Sequence, residues 1–425
     1  MLDPDAARRI TDAVDAAFDQ QLEFTAELVR HPSLRSAEAS AQNLMVAQFQ
    51  QRGLSVDQWT LDGDSLSTHV GYGPTTVDFE DLTNVVGTYT APEGQEEQGR
   101  SLILNGHVDV VPTGPEETWE NHPWDPVVKN GWMHGRGVGD MKAGLAANLF
   151  AFDAVQAAGF SPNATIHFQS VVEEECTGNG SLAALQRGYT ADAVVIPEPE
   201  ENMLVRANVG VVWFRVRVSG KPTHVREMAS GFNAIDAAYS VMGALRELES
   251  RWNAERANHR YFEDVDHPIN FNIGMISGGD WPSSVPSWCE FDVRAALYPG
   301  IPAAEAWEEI QECVRTTEFG AAVSAERTGF FSEGYVLDEG SDAEATLEAA
   351  HQETFGSALE SFTTPGYLDG RVFALYAGIP ALVYGPVSEA IHGFDERVHL
   401  ESVRRVTKTI ALFIADWCGV TERSQ

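Results

Sequence analysis

The sequence predicts an α/β fold in which a smaller α+β unit is inserted into a larger, discontinuous one. From about residue 100, short apolar runs alternate with helical segments, as in a parallel sheet covered by helices. From about residue 211, the strands alternate polar and apolar residues, which is typical of an antiparallel sheet. After about residue 328, short apolar runs again alternate with helical segments. We therefore expect one domain formed by residues 1–210 and 329–425, and a second formed by residues 211–328.

The first helix is expected at the N-terminus, because Asp3 can cap it and Pro4 suits a first turn. Its apolar face recurs every four residues and comprises Ile10, Val14, Phe18 and Leu22. Residues 56–100 are rich in Gly, Asp, Thr and Glu, so they are expected to form a long, loop-rich connection.

The larger domain then alternates between buried strands and helices. Its strands are expected in SLILNGHVDVV, ATIHFQSVVEEE, ADAVVIPEPEE and IPALVYGP, and its helices in DMKAGLAANLFAFDAVQAAG, DAEATLEAAHQETFG and residues 400–418. The inserted domain is expected to have the order βαββα. Its elements are GVVWFRVRVSG, FNAIDAAYSVMGALRELESRW, PINFNIGMISGG, SWCEFDVRAALYP and AAEAWEEIQECVRTTEFG.

The charge of the chain excludes several classes of partner. Its 425 residues include 63 Asp and Glu but only 28 Lys and Arg, a formal net charge of −35. Such a surface repels nucleic-acid phosphates and anionic lipid head groups, so neither nucleic acid nor a membrane is expected as a partner. The N-terminal segment lacks the regions of a secretory signal, and the four cysteines form neither a CxxC pair nor a disulfide framework. A cytoplasmic location is therefore expected.

Four of the predicted strands end in residues that can bind a metal ion. These residues are His107 and Asp109 after LILNG, Glu173, Glu174 and Glu175 after FQSVV, Glu198 after AVVIP, and His392 after ALVYGP. Asp140, at the end of GRGVGD, begins a helix and completes the set. Because ligands collect beyond the carboxyl ends of strands in open α/β sheets, we expect these side chains to converge.

Imidazoles and carboxylates without a thiolate suit Zn²⁺, Co²⁺ or Mn²⁺. Two such ions need a bridging carboxylate, for which Asp140 is the natural candidate. Since positions i and i+2 of a strand face the same way, Asp109 can accept a hydrogen bond from the second ring nitrogen of His107. One of the adjacent glutamates can bind metal while its neighbour acts as a general base. The rival candidates are His399 for His392, and Glu200 or Glu201 for Glu198.

Six motifs, in order, resemble the M20 metallohydrolases, the group of the aminoacylases, acetylornithine deacetylases, succinyl-diaminopimelate desuccinylases and glutamate carboxypeptidases. The motifs are GHVDVVPTG, GRGVGDMKAG, EEECTGNG, PEPE, GKPTH with GFNAI, and IHGFDERV. EEECTGNGSLAAL and WPSSVP are most similar to the ArgE/DapE-type deacylases. The resemblance implies a zinc-peptidase-like, three-layer catalytic domain and an inserted ferredoxin-like lid and dimerisation domain.

The resemblance also implies two divalent metal ions, zinc first, with cobalt or manganese as alternatives. One ion would be held by His107, Asp140 and Glu198, and the other by Asp140, Glu175 and His392, with Asp140 bridging. Glu174 matches the catalytic base, and Glu173 occupies a structural position.

Other residues resemble those that surround the substrate in this family. His224 matches a histidine that the inserted domain offers to the active site, often across a dimer interface. The resemblance therefore implies three catalytic residues, Glu174, Asp109 and His224. Arg294 resembles a binder of the substrate carboxylate, and Asn272 a polar residue near the substrate.

The implied function is hydrolysis of the amide bond of an N-acyl amino acid or related N-acylated amine by a homodimer. A dipeptidase, a carboxypeptidase or an aminopyrimidine deformylase is an alternative, because the same site can serve each reaction. Ser284, in WPSSVP, stands where many family members have Asn, and this departure leaves the substrate open. A non-catalytic binding protein on the same fold is an alternative from another class. It would require a missing ligand or base, and none is missing.

The acidic residues beyond the metal site indicate adaptation to a cytosol of high salt, because self-repulsion destabilises a compact fold unless ions screen it. We expect the melting temperature to rise between dilute buffer and molar KCl. Thermal unfolding followed by circular dichroism measures this rise, and an unchanged melting temperature would contradict the interpretation.

Overall fold

A mixed six-stranded sheet, the large sheet, carries the largest hydrophobic core in this computed structural model, which describes residues 2–92, 94 and 98–423. The spatial order of its strands is Ser55–Thr60, Thr83–Tyr89, Ile166–Val171, Leu102–His107, Ala193–Ile196 and Ala381–Val383. The last four are parallel to one another, whereas the first two pair in antiparallel fashion. The carboxyl ends of four neighbouring strands therefore meet at one edge.

Helices cover both faces of the large sheet. The helix Ala143–Ala157 packs on the face of Gly106, where a Cβ atom would collide with helix side chains. The helix Asn179–Gln186 packs on the opposite face, where Ser181 Oγ lies 3.0 Å from Nδ2 of Asn105. Asn105 precedes Gly106 in the same strand, and successive strand residues point to opposite sides of the sheet. The other long helices of this unit are Pro4–Val29, Ala39–Gln51, Asp342–Phe355, Gly370–Ala377 and Leu400–Trp417. These layers confirm the predicted three-layer α/β architecture.

The N-terminal helix Pro4–Val29 forms as predicted. The Asp3 carboxylate accepts hydrogen bonds from the N–H groups of Asp5 and Ala6, which the first helical turn leaves without partners. The predicted apolar face is buried at Ile10, Val14 and Phe18 and half-buried at Leu22.

The inserted segment folds around a hydrophobic core of its own. Its antiparallel sheet has the spatial order Phe271–Gly278, Trp288–Leu297, Gly210–Ser219 and Val323–Ser332, and the helices Ala234–Ala254 and Ala303–Arg315 pack against it. We call this sheet and its helices the lid. Its chain order is βαββαβ, so the predicted βαββα order gains a final strand, and residue 328 lies inside that strand. The charged and small residues of VSAERTG gave no strand signal.

The prediction that residues 56–100 form a loop-rich connection holds for residues 68–78 and 90–92, but it misses three regular elements. Residues 56–100 contain the inner strand Thr83–Tyr89, most of the edge strand Ser55–Thr60 and the short helix Gly63–Ser67. Asn and Gly within TNVVGTY weaken its local strand signal, and pairing with a neighbouring strand on each side provides what the local sequence lacks. Positions 93 and 95–97 of the predicted connection lie outside the described residues.

Short strands complete the architecture. They are Ser388–Glu389, Arg397–His399, Trp132–His134 and Val127–Lys129 in one sheet, Tyr335–Val336, Leu204–Asn208 and Ser361–Thr364 in a second, and Phe160–Pro162 with Val420–Glu422 in a third. In the part of the chain that the structure describes, none of the helices has both the length and the apolar composition that a membrane span needs.

Glu38 is a buried carboxyl group immediately before the helix Ala39–Gln51. Its exposed fraction is 1%, and neither carboxylate oxygen makes a hydrogen bond of good geometry within the described residues. Burial raises its pKa to about 8, and the Asp109 and Glu173 carboxylates add to the rise. The native state therefore retains a proton that the unfolded chain has lost. The contribution of Glu38 to stability consequently falls as the pH rises from about 4.5 to about 8.

Replacing Glu38 by Gln should flatten this pH dependence, because an amide does not titrate. Between about pH 5 and about pH 8, the free energy of unfolding of the wild type should fall relative to that of Glu38→Gln by on the order of 2 kcal/mol. Urea unfolding followed by tryptophan fluorescence measures both proteins. Parallel pH profiles would contradict the burial of an ionisable carboxyl at this position.

Candidate active site

Side chains from neighbouring strands converge at the carboxyl edge of the large sheet. His107 ends one strand, Glu174 and Glu175 follow the next, and Glu198 follows a third. His392 lies in the segment after the strand Ala381–Val383, where its backbone has a φ of 60°. The turn that precedes the helix Ala143–Ala157 adds Asp140. The expected convergence is therefore present in the fold.

Asp140 lies between two imidazoles and directs one carboxylate oxygen towards each. Its Oδ1 is 3.1 Å from Nε2 of His107, and its Oδ2 is 3.3 Å from Nε2 of His392. Glu175 Oε2 lies 3.1 Å from the same nitrogen of His392. Carboxylate oxygens of Glu198 and Glu174 lie 3.7 Å and 3.9 Å from Nε2 of His107. All six side chains therefore form one cluster.

Asp109 contacts both His107 and the glutamate pair, but not as the sequence predicts. Nδ1 of His107 lies 2.9 Å from the main-chain carbonyl oxygen of Asp109 and 3.5 Å from its carboxylate, so the carbonyl is the nearer acceptor. The Asp109 carboxylate accepts hydrogen bonds from the backbone N–H groups of Glu174, at 3.4 Å, and Glu175, at 3.1 Å. One residue thus orients the imidazole through its backbone and the two glutamates through its side chain.

Glu173 turns away from the cluster. Its Oε2 lies 2.8 Å from Nη2 of Arg35 and accepts a hydrogen bond from Thr177 Oγ1 at 2.9 Å. Its backbone is left-handed, with a φ of 65°, and this turn lets the following glutamates face the cluster. Glu173 therefore does not belong to the cluster of His107 and Asp140.

The rival residues lie outside the cluster. Nδ1 of His399 accepts a hydrogen bond from the Ser402 N–H at the start of the last helix, and its ring contacts Trp132. Glu200 lines the adjacent cavity, and Glu201 is exposed.

The composition of the cluster fits divalent metal ions. His107, Asp140 and Glu175 offer ligand atoms that all lie within 4.8 Å of one another. Oε1 of Glu198 is buried with no hydrogen-bond partner among the described residues, which is costly unless a cation balances it. Imidazole nitrogens and carboxylate oxygens without a thiolate are the donors that Zn²⁺, Co²⁺ and Mn²⁺ accept.

A cavity of about 600 Å³ separates this cluster from the lid. The lid contributes Asn272 and Arg294, which are directly paired on neighbouring strands. Nη2 of Arg294 donates to the Pro365 carbonyl oxygen at 3.0 Å, and within the described residues its guanidinium forms no salt bridge. Burial lowers the pKa of Arg294 to about 10, so the group stays charged at neutral pH.

His224 is not brought to the cluster within one chain. It is exposed on the lid, and its Nδ1 accepts a hydrogen bond from the Arg226 N–H at 3.1 Å. It does not line the cavity. The expected approach of His224 to the active site is therefore absent within a single copy of the described chain.

Three aromatic residues, Trp213, Phe330 and Tyr367, form one side of the cavity, which we call its aromatic side. No local sequence signal predicts that these three lie together. The ring centroids of Trp213 and Phe330 lie 5.2 Å apart, and those of Phe330 and Tyr367 lie 4.2 Å apart. The alternation in GVVWFRVRVSG identifies Trp213, because it places this residue on the face opposite to the buried Phe214. Tyr367 is fixed by a 2.8 Å hydrogen bond from its hydroxyl to Asp369.

Comparison with known proteins gives one family. The model of peptidase family M20/M25/M40 matches residues 103–416. The chain is 27% identical to an N-formyl-4-amino-5-aminomethyl-2-methylpyrimidine deformylase from Halalkalibacterium halodurans, over 95% of this chain and 96% of that protein. It is 28% identical to a succinyl-diaminopimelate desuccinylase from Stenotrophomonas maltophilia, over 90% of this chain and 95% of that protein.

A solved structure shares the fold. The dipeptidase Dug1p from Saccharomyces cerevisiae has a TM-score of 0.78 at 14% sequence identity, and the similarity covers 97% of this chain and 99% of that chain. At this identity the similarity concerns the architecture alone.

Proposed function

The chain belongs to peptidase family M20/M25/M40, and we propose that it is a dinuclear amidohydrolase that cleaves the amide bond of an N-acyl amino acid or related N-acylated amine. Metal-dependent hydrolysis follows from the family. The observation that carries the finer proposal is the position of Asp140, with one carboxylate oxygen towards each of two imidazoles and with the buried Glu174 and the half-buried Glu175 beside it.

We assign two overlapping ligand sets. His107, Asp140 and Glu198 would hold one ion, and Asp140, Glu175 and His392 the other. Zinc suits these donors best, with cobalt or manganese as alternatives. What the ions supply when bound is Lewis acidity, which activates water and polarises a carbonyl group.

Glu174 is the proposed general base. It lines the cavity, and burial raises the pKa of its carboxyl well above the usual range, which strengthens the carboxylate as a base. It takes a proton from the water whose oxygen attacks the amide carbon. It then returns that proton to the nitrogen as the C–N bond breaks, so the products are a carboxylic acid and an amine. The Asp109 carboxylate holds Glu174 in place by accepting a hydrogen bond from the backbone N–H of Glu174.

The cavity supports an acylated amino acid as substrate. Arg294 is a charged guanidinium on the lid side of the cavity, opposite the cluster, and can bind a carboxylate. Asn272, beside it, can donate or accept a hydrogen bond. A dipeptide presents the same carboxylate, so peptidase activity is the neighbouring alternative.

A second candidate is deformylation of an aminopyrimidine. The aromatic rings of Trp213, Phe330 and Tyr367 line the cavity, and a flat heteroaromatic ring packs well on such surfaces. The 27% identity to the Halalkalibacterium halodurans deformylase, over nearly the full length of both chains, favours the same reaction.

We further propose a homodimer that forms through the lid. The strand Phe271–Gly278 is the edge of its sheet, with one row of backbone groups available for pairing. Met275 and Ile276 on this strand, and Trp281 just after it, are 65%, 54% and 68% exposed. A second copy would cover these side chains and bring its own His224 to the cavity, where an imidazole can stabilise the developing oxyanion.

The test of function is a substrate panel on zinc- or cobalt-loaded protein, read by mass spectrometry. We expect hydrolysis of at least one N-acetyl, N-formyl or N-succinyl amino acid, dipeptide or N-formyl aminopyrimidine. Removal of metal by EDTA should abolish it. Glu174→Gln should lower kcat by about 10²- to 10⁴-fold with unchanged metal content, whereas the exposed Glu201→Gln serves as a matched control. No hydrolysis by the metal-loaded wild type would favour a binding protein instead.

Mixed dimers test whether His224 acts across the interface. Glu174→Gln and His224→Ala should each be nearly inactive as homodimers. If His224 acts in trans, unfolding and refolding an equimolar mixture creates one intact site per heterodimer, about a quarter of wild-type activity. If it acts in cis, no site regains both groups, and the mixture stays inactive.

A further inference from the structure

The Glu396 carboxylate is enclosed by hydrogen-bond donors from the segment that leads to Asp140. Its Oε1 accepts from the backbone N–H groups of Gly139, at 2.9 Å, and Asp140, at 3.2 Å. Its Oε2 accepts from the Gly137 N–H at 2.9 Å and from Nη1 of Arg136 at 2.7 Å. Glu396 and Arg136 are each only 1% exposed. Four donors within five consecutive residues thus satisfy one carboxylate.

We infer that Glu396 is a positioning residue that fixes Asp140 and the His392 loop relative to each other. The inference rests on the proposed function, because it takes these two residues as metal ligands. Glu396 does not line the cavity. It acts through the backbone on which Asp140 is carried.

This contact explains two of the three glycines of GRGVGD, Gly137 and Gly139. Gly137 has a φ of 74°, and a Cβ atom there would lie 2.4 Å from Cγ1 of Val110. A Cβ atom at Gly139 would lie 2.8 Å from Oγ of Ser388. Both positions therefore require glycine, and the turn can wrap its N–H groups around the carboxylate.

Arg136 extends the contact to the second ligand loop. Its Nη2 donates to the carbonyl oxygen of Gly393 at 2.9 Å and to that of Pro112 at 3.2 Å. Gly393 directly follows His392. In addition, the Gly135 N–H donates to the main-chain carbonyl of Glu396 at 3.0 Å. A single buried ion pair therefore connects the turn of Asp140 with the loop of His392.

A neutral side chain cannot replace this carboxylate. Glutamine at position 396 would turn an NH₂ group towards N–H donors and leave the buried Arg136 guanidinium without its counter-charge. The turn and the loop would then lose their common anchor, although every proposed ligand remains in the sequence.

The experiment compares Glu396→Gln with the matched control Glu344→Gln. Glu344 also pairs with a buried arginine, Arg206, and accepts a backbone hydrogen bond from Gly340, at 3.0 Å, but contacts none of the cluster residues within the described chain. Hydrogen exchange of peptides covering 135–141 and 390–395 is measured in metal-free protein. Zinc affinity is measured by chelator competition, and the Co²⁺ absorption spectrum reports the ligand geometry.

For Glu396→Gln we expect faster exchange in both peptides, a 10- to 100-fold loss of zinc affinity and an altered Co²⁺ spectrum. With metal restored, kcat should fall while KM changes little. Glu344→Gln should lower the melting temperature without changing zinc affinity or spectrum. A folded Glu396→Gln with wild-type exchange, affinity and spectrum would overturn the inference.

A second variant keeps the test decisive if Glu396→Gln does not fold. Arg136→Lys retains the positive charge but cannot reach Glu396 and the Gly393 carbonyl with one planar fork. Exchange should then rise in 390–395 more than in 135–141, with weaker zinc binding, and wild-type values in both would overturn the inference. If the wild type binds neither zinc nor cobalt, the proposed metal centre fails. Hydrogen exchange then decides the positioning role by itself.

Discussion

Repulsion among buried carboxylates is the constraint on which the rest of the site depends. Glu174 and Glu198 are buried, Asp140 and Glu175 are half-buried, and all four line one cavity together with Glu200. Each costs free energy in the interior unless a cation or an N–H group balances it. The imidazoles of His107 and His392 lie among these carboxylates. Asp109 accepts hydrogen bonds from the backbone of Glu174 and Glu175, and Arg35 binds Glu173, which would otherwise add to the repulsion. The surrounding loops are therefore organised by charge balance as much as by packing.

The parts that the sequence predicts are those with a local signal. An apolar run followed by acids or His identifies a strand and its functional end at once, as at His107 and Glu198. The acceptor of the His107 ring has no such signal, because Asp109 offers both a carbonyl and a carboxylate, and only the fold selects between them. The strand Thr83–Tyr89 and the last lid strand depend likewise on neighbours that are distant in sequence.

Each of the two hydrophobic cores supports one side of the cavity. Strand ends above the larger core present the acids and imidazoles of the cluster, and the proposed proton transfer requires that they be held precisely. Strands of the lid present the side chains that face them, among them Trp213 and Arg294. From the larger domain, Tyr367 contributes to the aromatic side of the cavity, where its ring contacts that of Phe330. The proposed cleavage and the proposed selection of substrate thus depend on different parts of the chain.

This division has a consequence for how such proteins diverge. Substitutions on the cavity face of the lid strands change the shape and charge offered to a substrate, and the hydrophobic core beneath these strands is separate from the one beneath the clustered carboxylates. The hydrolytic chemistry can persist while recognition drifts. Two relatives of comparable identity to this chain are named for a formylated pyrimidine and for a succinylated amino acid. Because the lid has its own hydrophobic core, related proteins can acquire new substrates through changes in the lid while the residues of the cluster stay the same.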